Sequence, residues 1–138
     1  MDEHVRRALS ESTDTVHLTV PPSSDYLRTA RLVAADAAVR AGLDCEEIED
    51  FRIAVDELCH LVMSGTDHFL ELWVVSVDSR VIAHGHALSR PGAEPRTPGE
   101  LSALILESTA DYYDVEATDD EISFAVVKHA RRVMADQR

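Results

Sequence analysis

The stretch EEIEDFRIAVDELCHLVM, Glu46 to Met63, decides the fold. Its apolar residues Ile48, Phe51, Val55, Leu58 and Val62 step by 3, 4, 3 and 4, which keeps all five on one side of a helix. Ala54 and Leu61 widen that stripe, so the spacing predicts a helix with much of its surface buried, stopped at Ser64-Gly65. Upstream, TVHLTV (Thr15 to Val20) alternates Val16, Leu18 and Val20 on one face, the mark of a half-buried strand. Pro21-Pro22 ends it, because proline offers no amide proton to a ladder. Ser23 or Ser24 can then cap a helix to about Ala41, with Leu27, Ala30, Val33, Ala34, Ala37 and Ala41 in one stripe and Gly42 as the stop. Arg28, Arg31, Asp36 and Arg40 fall largely outside that stripe.

Downstream, FLELWVVSVD (Phe69 to Asp78) and RVIAHGHAL (Arg80 to Leu88) flank a tight turn at Asp78-Ser79 and predict an antiparallel hairpin. A loop containing Pro91, Gly92 and Pro95 follows. Thr97-Pro98-Gly99-Glu100 has the pattern of a capping box, with Thr97 as cap, and opens a third helix to about Ala110. Tyr112 to Ala117 and Glu121 to His129 are the last two strands. The polar residues 1–14 are expected to form a flexible arm, residues 15–130 the domain, and residues 131–138 a basic tail. The order β-α-α-β-β-α-β-β predicts an α+β, two-layer sandwich in which three helices cover one face of a mixed sheet.

Composition narrows the function. The 138 residues make one domain, and 13 basic against 26 acidic residues give a net charge of −13. That charge repels phosphate backbones and anionic lipids, so neither nucleic acid nor a membrane surface is the expected partner. No apolar run is long enough to span a bilayer and no secretion signal is evident. Cys45 and Cys59, without a CxxC pattern, fit a reduced cytoplasmic protein.

The chemistry-bearing clusters are sparse. His84 and His86 sit two apart on a strand and share a face, a pair that can hold a metal only with a third ligand, which nothing in the sequence nominates. Asp56 and Glu57 precede His60 by four and three residues, close enough for acid–base work and equally suited to a solvated helix face. There is no G-x-S-x-G elbow and no glycine-rich phosphate cradle. Tyr112-Tyr113 reads as part of a strand face rather than a stacking platform.

EDFRIAVDELCHLVMSG, Glu49 to Gly65, resembles the N-box helix of the anti-sigma-factor serine kinases of the RsbW/SpoIIAB type, in the GHKL (Bergerat) ATPase superfamily. The likeness extends in order to Arg31 in TARLV, to PGELSALILESTADYYDVEA, and to the final strand ISFAVVKHA. It implies a GHKL-like fold, with Glu57 at the catalytic-base position and Arg31 at that of an arginine near the sigma-binding surface. The other nucleotide positions depart from the pattern. Leu61 stands where the family's asparagine holds magnesium, and an aliphatic side chain cannot coordinate a hard cation. The stretch containing His84 and Gly85 lacks the adenine-reading aspartate, and Gly99 alone remains of the second glycine box. The resemblance thus implies a cytoplasmic, homodimeric anti-sigma factor that binds a sigma factor, is countered by a STAS-type antagonist, and has lost ATP, magnesium and kinase activity. Two alternatives stay open: a residual serine/threonine kinase with an altered ATP site, and a signalling scaffold of the same fold with an unrelated partner.

Overall fold

Two polar contacts at Asp44 start the central helix. In the computed structural model, which describes residues 3–11, 14–93 and 97–131, the Glu47 amide donates to Asp44 Oδ1 at 2.8 Å and the Asp44 amide donates to Glu47 Oε1 at 2.8 Å. This reciprocal capping box satisfies two amides that the first helical turn would leave unpaired. The helix it opens, α3 (Cys45–Met63), buries Phe51, Ala54, Val55, Leu58 and Val62, as the spacing predicts. Before it lies α2 (Leu27–Arg40), entered through a 3-10 turn at Ser24–Tyr26 that Ser23 caps. Ala30, Ala34, Ala37 and Ala38 bury completely, and such small side chains let α2 lie close against its neighbours. Gly42, at φ +87°, takes the left-handed conformation that ends α2, with the Leu43 amide reaching back to the Ala38 carbonyl.

Five strands form one sheet: β1 (Thr15–Val20), β2 (Leu70–Val77), β3 (Arg80–Leu88), β4 (Tyr112–Ala117) and β5 (Glu121–His129), in the order β1-β2-β3-β5-β4. Every hydrogen-bonded pair is antiparallel, which corrects the expected mixed sheet. The reason is topological. The crossover through the last helix, α4 (Glu100–Thr109), makes β3 and β4 run the same way, but β5 slots between them and pairs antiparallel with both. The β2–β3 turn places Asp78 and Ser79 at φ 50° and 60°, the twist a two-residue hairpin favours.

The inner face, with Leu70, Leu72, Val74, Val81, Ala83, Ile122, Phe124 and Val126, packs under α2 and α3 as the main core. The outer face departs from expectation. Glu3–Glu11 is not a free arm but a helix, α1, whose Val5 and Ala8 bury against Val75, Ile82, Ala125 and Val127. Its apolar residues Val5, Ala8 and Leu9 recur at i, i+3 and i+4, a stripe too short to stand out among so many charges. The start of α4 is also corrected. Gly99, not Thr97, is the N-cap, without a side-chain bond, so Glu100 falls at the first helical position and the capping box does not form. Of the expected basic tail, residues 132–138 lie outside the described residues. Among the described residues no helix is long and apolar enough to cross a membrane.

Candidate functional site

α2 and α3 run side by side and leave a groove between their exposed edges. One end, about 500 Å³, is lined by Arg28, Arg31, Leu32, Ile48, Glu49 and Arg52. It continues into a smaller recess of about 320 Å³ lined by Arg31, Arg52, Ile53, Asp56 and Glu57. The helical spacing explains the convergence: Arg52, Asp56 and Glu57 fall on one side of α3, and Arg28, Arg31 and Leu32 on the facing side of α2. Arg31 Nη1 donates to Asp56 Oδ1 at 2.7 Å, a bond between the helices with both side chains about one-third exposed. Arg52 Nη2 donates to both carboxylate oxygens of Glu49 at 2.6 and 2.7 Å, which raises the Arg52 pKa through the hydrogen bond and the adjacent charge. Leu32 is 63% exposed and Ile53 37%, so apolar side chains and guanidinium groups share the same open surface.

Glu57, which the family resemblance matches to the base position, sits half-buried in the recess, and its Oε1 accepts a hydrogen bond from Ser102 Oγ of α4 at 2.5 Å. Asp56 turns to Arg31 and Glu57 to Ser102, so neither pairs with the exposed His60 and no acid–base couple forms there. Arg31 and Glu57, to which the family resemblance implies separate roles, line one recess. Neither Asp56 nor Ser102 was legible as their partner, because the bonds cross from one helix to another, 25 and 45 residues away in the chain.

The remaining positions do not join them. Leu61 lies one turn beyond Glu57 on α3 and is half-buried. Gly85 faces the inner core, where an added Cβ would come within 2.2 Å of the Phe124 ring, so its glycine makes room for an aromatic side chain. His84 lies on the opposite face of the sheet, with its ring centroid 5.3 Å from that of Trp73, which in turn stacks on His17 at 4.6 Å. Burial, aided by the neighbouring His86, lowers the His84 pKa. Gly99 is exposed at φ −71°, and an added Cβ there would meet nothing within 4 Å. His84 and His86 share a face, but His86 pairs with Glu121 at 3.0 Å, and no cluster of three metal-ligating side chains occurs among the described residues.

Away from this groove, one acidic residue among those described is fully buried. Glu47 spends one oxygen on the capping box and the other on Arg131, whose amide and Nε donate at 2.7 and 2.9 Å. Burial alone would raise its pKa; the amide and guanidinium donors outweigh that and hold it below the ordinary carboxylate value. It ties the end of β5 to the start of α3 and is structural.

No family model matches the chain. Its sequence is similar to the serine-protein kinase RsbW of Bacillus pumilus, 37% identical over 51 residues, which are 37% of this chain and 32% of that protein. It is likewise similar to RsbW of Halalkalibacterium halodurans, 39% identical over 46 residues, covering 33% and 28% of the two chains. The matched stretches span about a third of these relatives. Among solved structures, one of the RsbU and RsbW domains of a Mycobacterium tuberculosis protein superposes with a TM-score of 0.64 over 86% of this chain and 32% of that one, at 16% identity. That likeness carries the fold: an α+β sandwich of the GHKL type.

Proposed function

We propose that this RsbW-like chain is an anti-sigma-factor-type regulator that holds a sigma factor by protein contact, as a homodimer and without ATP binding or phosphoryl transfer. The observation that carries the reading is the α2/α3 groove, where Arg28, Arg31 and Arg52 lie beside exposed Leu32 and Ile53. Arginine flanked by apolar side chains is the composition of an interface centre, and the groove is open rather than enclosed around a small ligand. Support for the missing chemistry comes from dispersal. Glu57 and Leu61 share α3, whereas Gly85 is filled by Phe124 and His84 lies on the far face of the sheet. A base with no placed phosphoryl donor has nothing to activate.

The test is co-purification from the native host with mass spectrometry, followed by affinity measurements on the partner recovered. A sigma factor in the eluate, bound at least tenfold more weakly by Arg31→Glu, supports the reading; Arg31→Lys weakens binding too, because an ammonium lacks the guanidinium's planar geometry, but by less, because it keeps the charge. Since Arg31 pairs with Asp56 at the surface, the charge reversal also lowers stability, by no more than about 1 kcal/mol. Undiminished affinity of Arg31→Glu excludes this groove, and an eluate without sigma factors favours the scaffold reading. One observation favours the kinase alternative: the Glu57 carboxylate already accepts a hydrogen bond from a hydroxyl group, that of Ser102. Transfer of labelled phosphate from ATP to a STAS-domain antagonist would establish it.

A further inference from the structure

α4 is fastened unequally along its length. Its second half is anchored by Leu106, fully buried, and Thr109, nearly so. Its first half turns Leu101 and Leu104 to solvent, 72% and 63% exposed, and begins at Gly99 with no side-chain cap. Among the described residues, one side-chain hydrogen bond ties α4 to α3: Ser102 Oγ to Glu57 Oε1. The other two hydroxyl groups that bond within α4, those of Ser108 and Thr109, donate to the helix's own Ile105 carbonyl. A hydroxyl given to a carboxylate is a charge-assisted bond, about twice as strong as a neutral one, and here it is only partly exposed to water.

We infer that the Ser102–Glu57 bond is a latch: it closes the first half of α4 onto α3, and withdrawing either group lets that half open while the second half stays docked. Opening returns the Glu57 carboxylate, unshared, to the recess it lines with Arg31 and Arg52. Ser102 is thus a positioning residue for Glu57, and the inference stands on this contact alone, independently of what the groove binds.

Native-state amide hydrogen exchange on the full chain tests it, because local opening sets the exchange rate of the amides it releases. The Ala103 amide, bonded to the Gly99 carbonyl, reports the first half, and the Ala110 amide, bonded to the Leu106 carbonyl, reports the second. In Ser102→Ala, Ala103 should exchange at least tenfold faster with Ala110 changed less than twofold. Alanine is the better helix former, so intrinsic propensity pushes the opposite way and cannot mimic the result. Ser102→Thr, which keeps the hydroxyl, should restore slow exchange, and Glu57→Ala should reproduce Ser102→Ala without adding to it in the double variant. Should Ser102→Ala fold poorly, Glu57→Gln, which keeps an acceptor oxygen but loses the charge, should give a smaller acceleration confined to Ala103. Unchanged exchange at Ala103, or equal acceleration at Ala103 and Ala110, overturns the latch.

Discussion

Helices α3 and α4 touch, yet they are held in place by different means. α3 has 19 residues, a reciprocal capping box and a continuous stripe buried on the sheet. α4 has 10 residues, no side-chain cap and only Leu106 and Thr109 buried, while two of its leucines face water. The difference teaches that an apolar stripe is evidence of burial only where the fold supplies a surface along its whole length. Phe51 and Leu101 are both large apolar residues on helices, and only the first has a core around it.

Truncating those two residues should break or uphold the contrast. Phe51→Ala should cost about 3–5 kcal/mol, the usual penalty for emptying an aromatic site in a core. Leu101→Ala should stay within about 0.5 kcal/mol, as surface changes do. Urea denaturation of both variants checks the pair. Comparable losses at the two sites would mean that α4 is packed as tightly as α3, or α3 as loosely as α4.

Gly85→Ala probes the inner face that lies beneath the helices. The new methyl would lie 2.2 Å from Phe124 Cε2, so the ring or the strands that carry the two residues must shift, at a cost of about 1–3 kcal/mol. Phe124→Leu in the same chain should recover part of that loss. A neutral Gly85→Ala would show that the ring has room to move and that Gly85 is kept for another reason.

The two faces of the sheet can be separated by pH. His84, on the outer face, has its pKa lowered from 6.5 by burial first and by His86 second. The unfolded chain therefore takes up the proton more readily than the folded one. Its contribution to stability is complete above about pH 6.5 and is lost as pH falls through the folded-state value. Glu47, lowered from 4.5, acts in the same direction at lower pH, below its unfolded value. Urea midpoints for wild type and His84→Gln between pH 7.5 and 5.5 should show a shallow loss in wild type that the variant lacks. Parallel curves would assign the loss to other groups.

How legible all this was in the sequence follows from the range of each signal. The α3 stripe, the proline stop after Val20, the hairpin and the final two strands are local patterns, and each appears where its residues place it. The all-antiparallel pairing depends on β5 entering between β3 and β4, a choice made by contacts far apart in the chain. α1 was missed because three apolar residues among charges carry meaning only once Val75, Ile82, Ala125 and Val127 are seen to need a cover. At the candidate site, Arg31 and Glu57 could be nominated individually through a family resemblance. Their meeting in one recess, and their engagement by Asp56 and Ser102, depended on how α2, α3 and α4 pack.

The central claim is that the chain works by contact and not by phosphoryl transfer, and isothermal titration with Mg-ATP tests it most directly. At the positions that the family resemblance matches to the metal and adenine contacts, Leu61 offers no ligand and the His84–Gly85 stretch offers no carboxylate. Each missing polar contact is worth about 1–3 kcal/mol, so their combined absence should push affinity out of the useful range. The account predicts no heat of binding below the millimolar range; a micromolar dissociation constant that requires magnesium would contradict it.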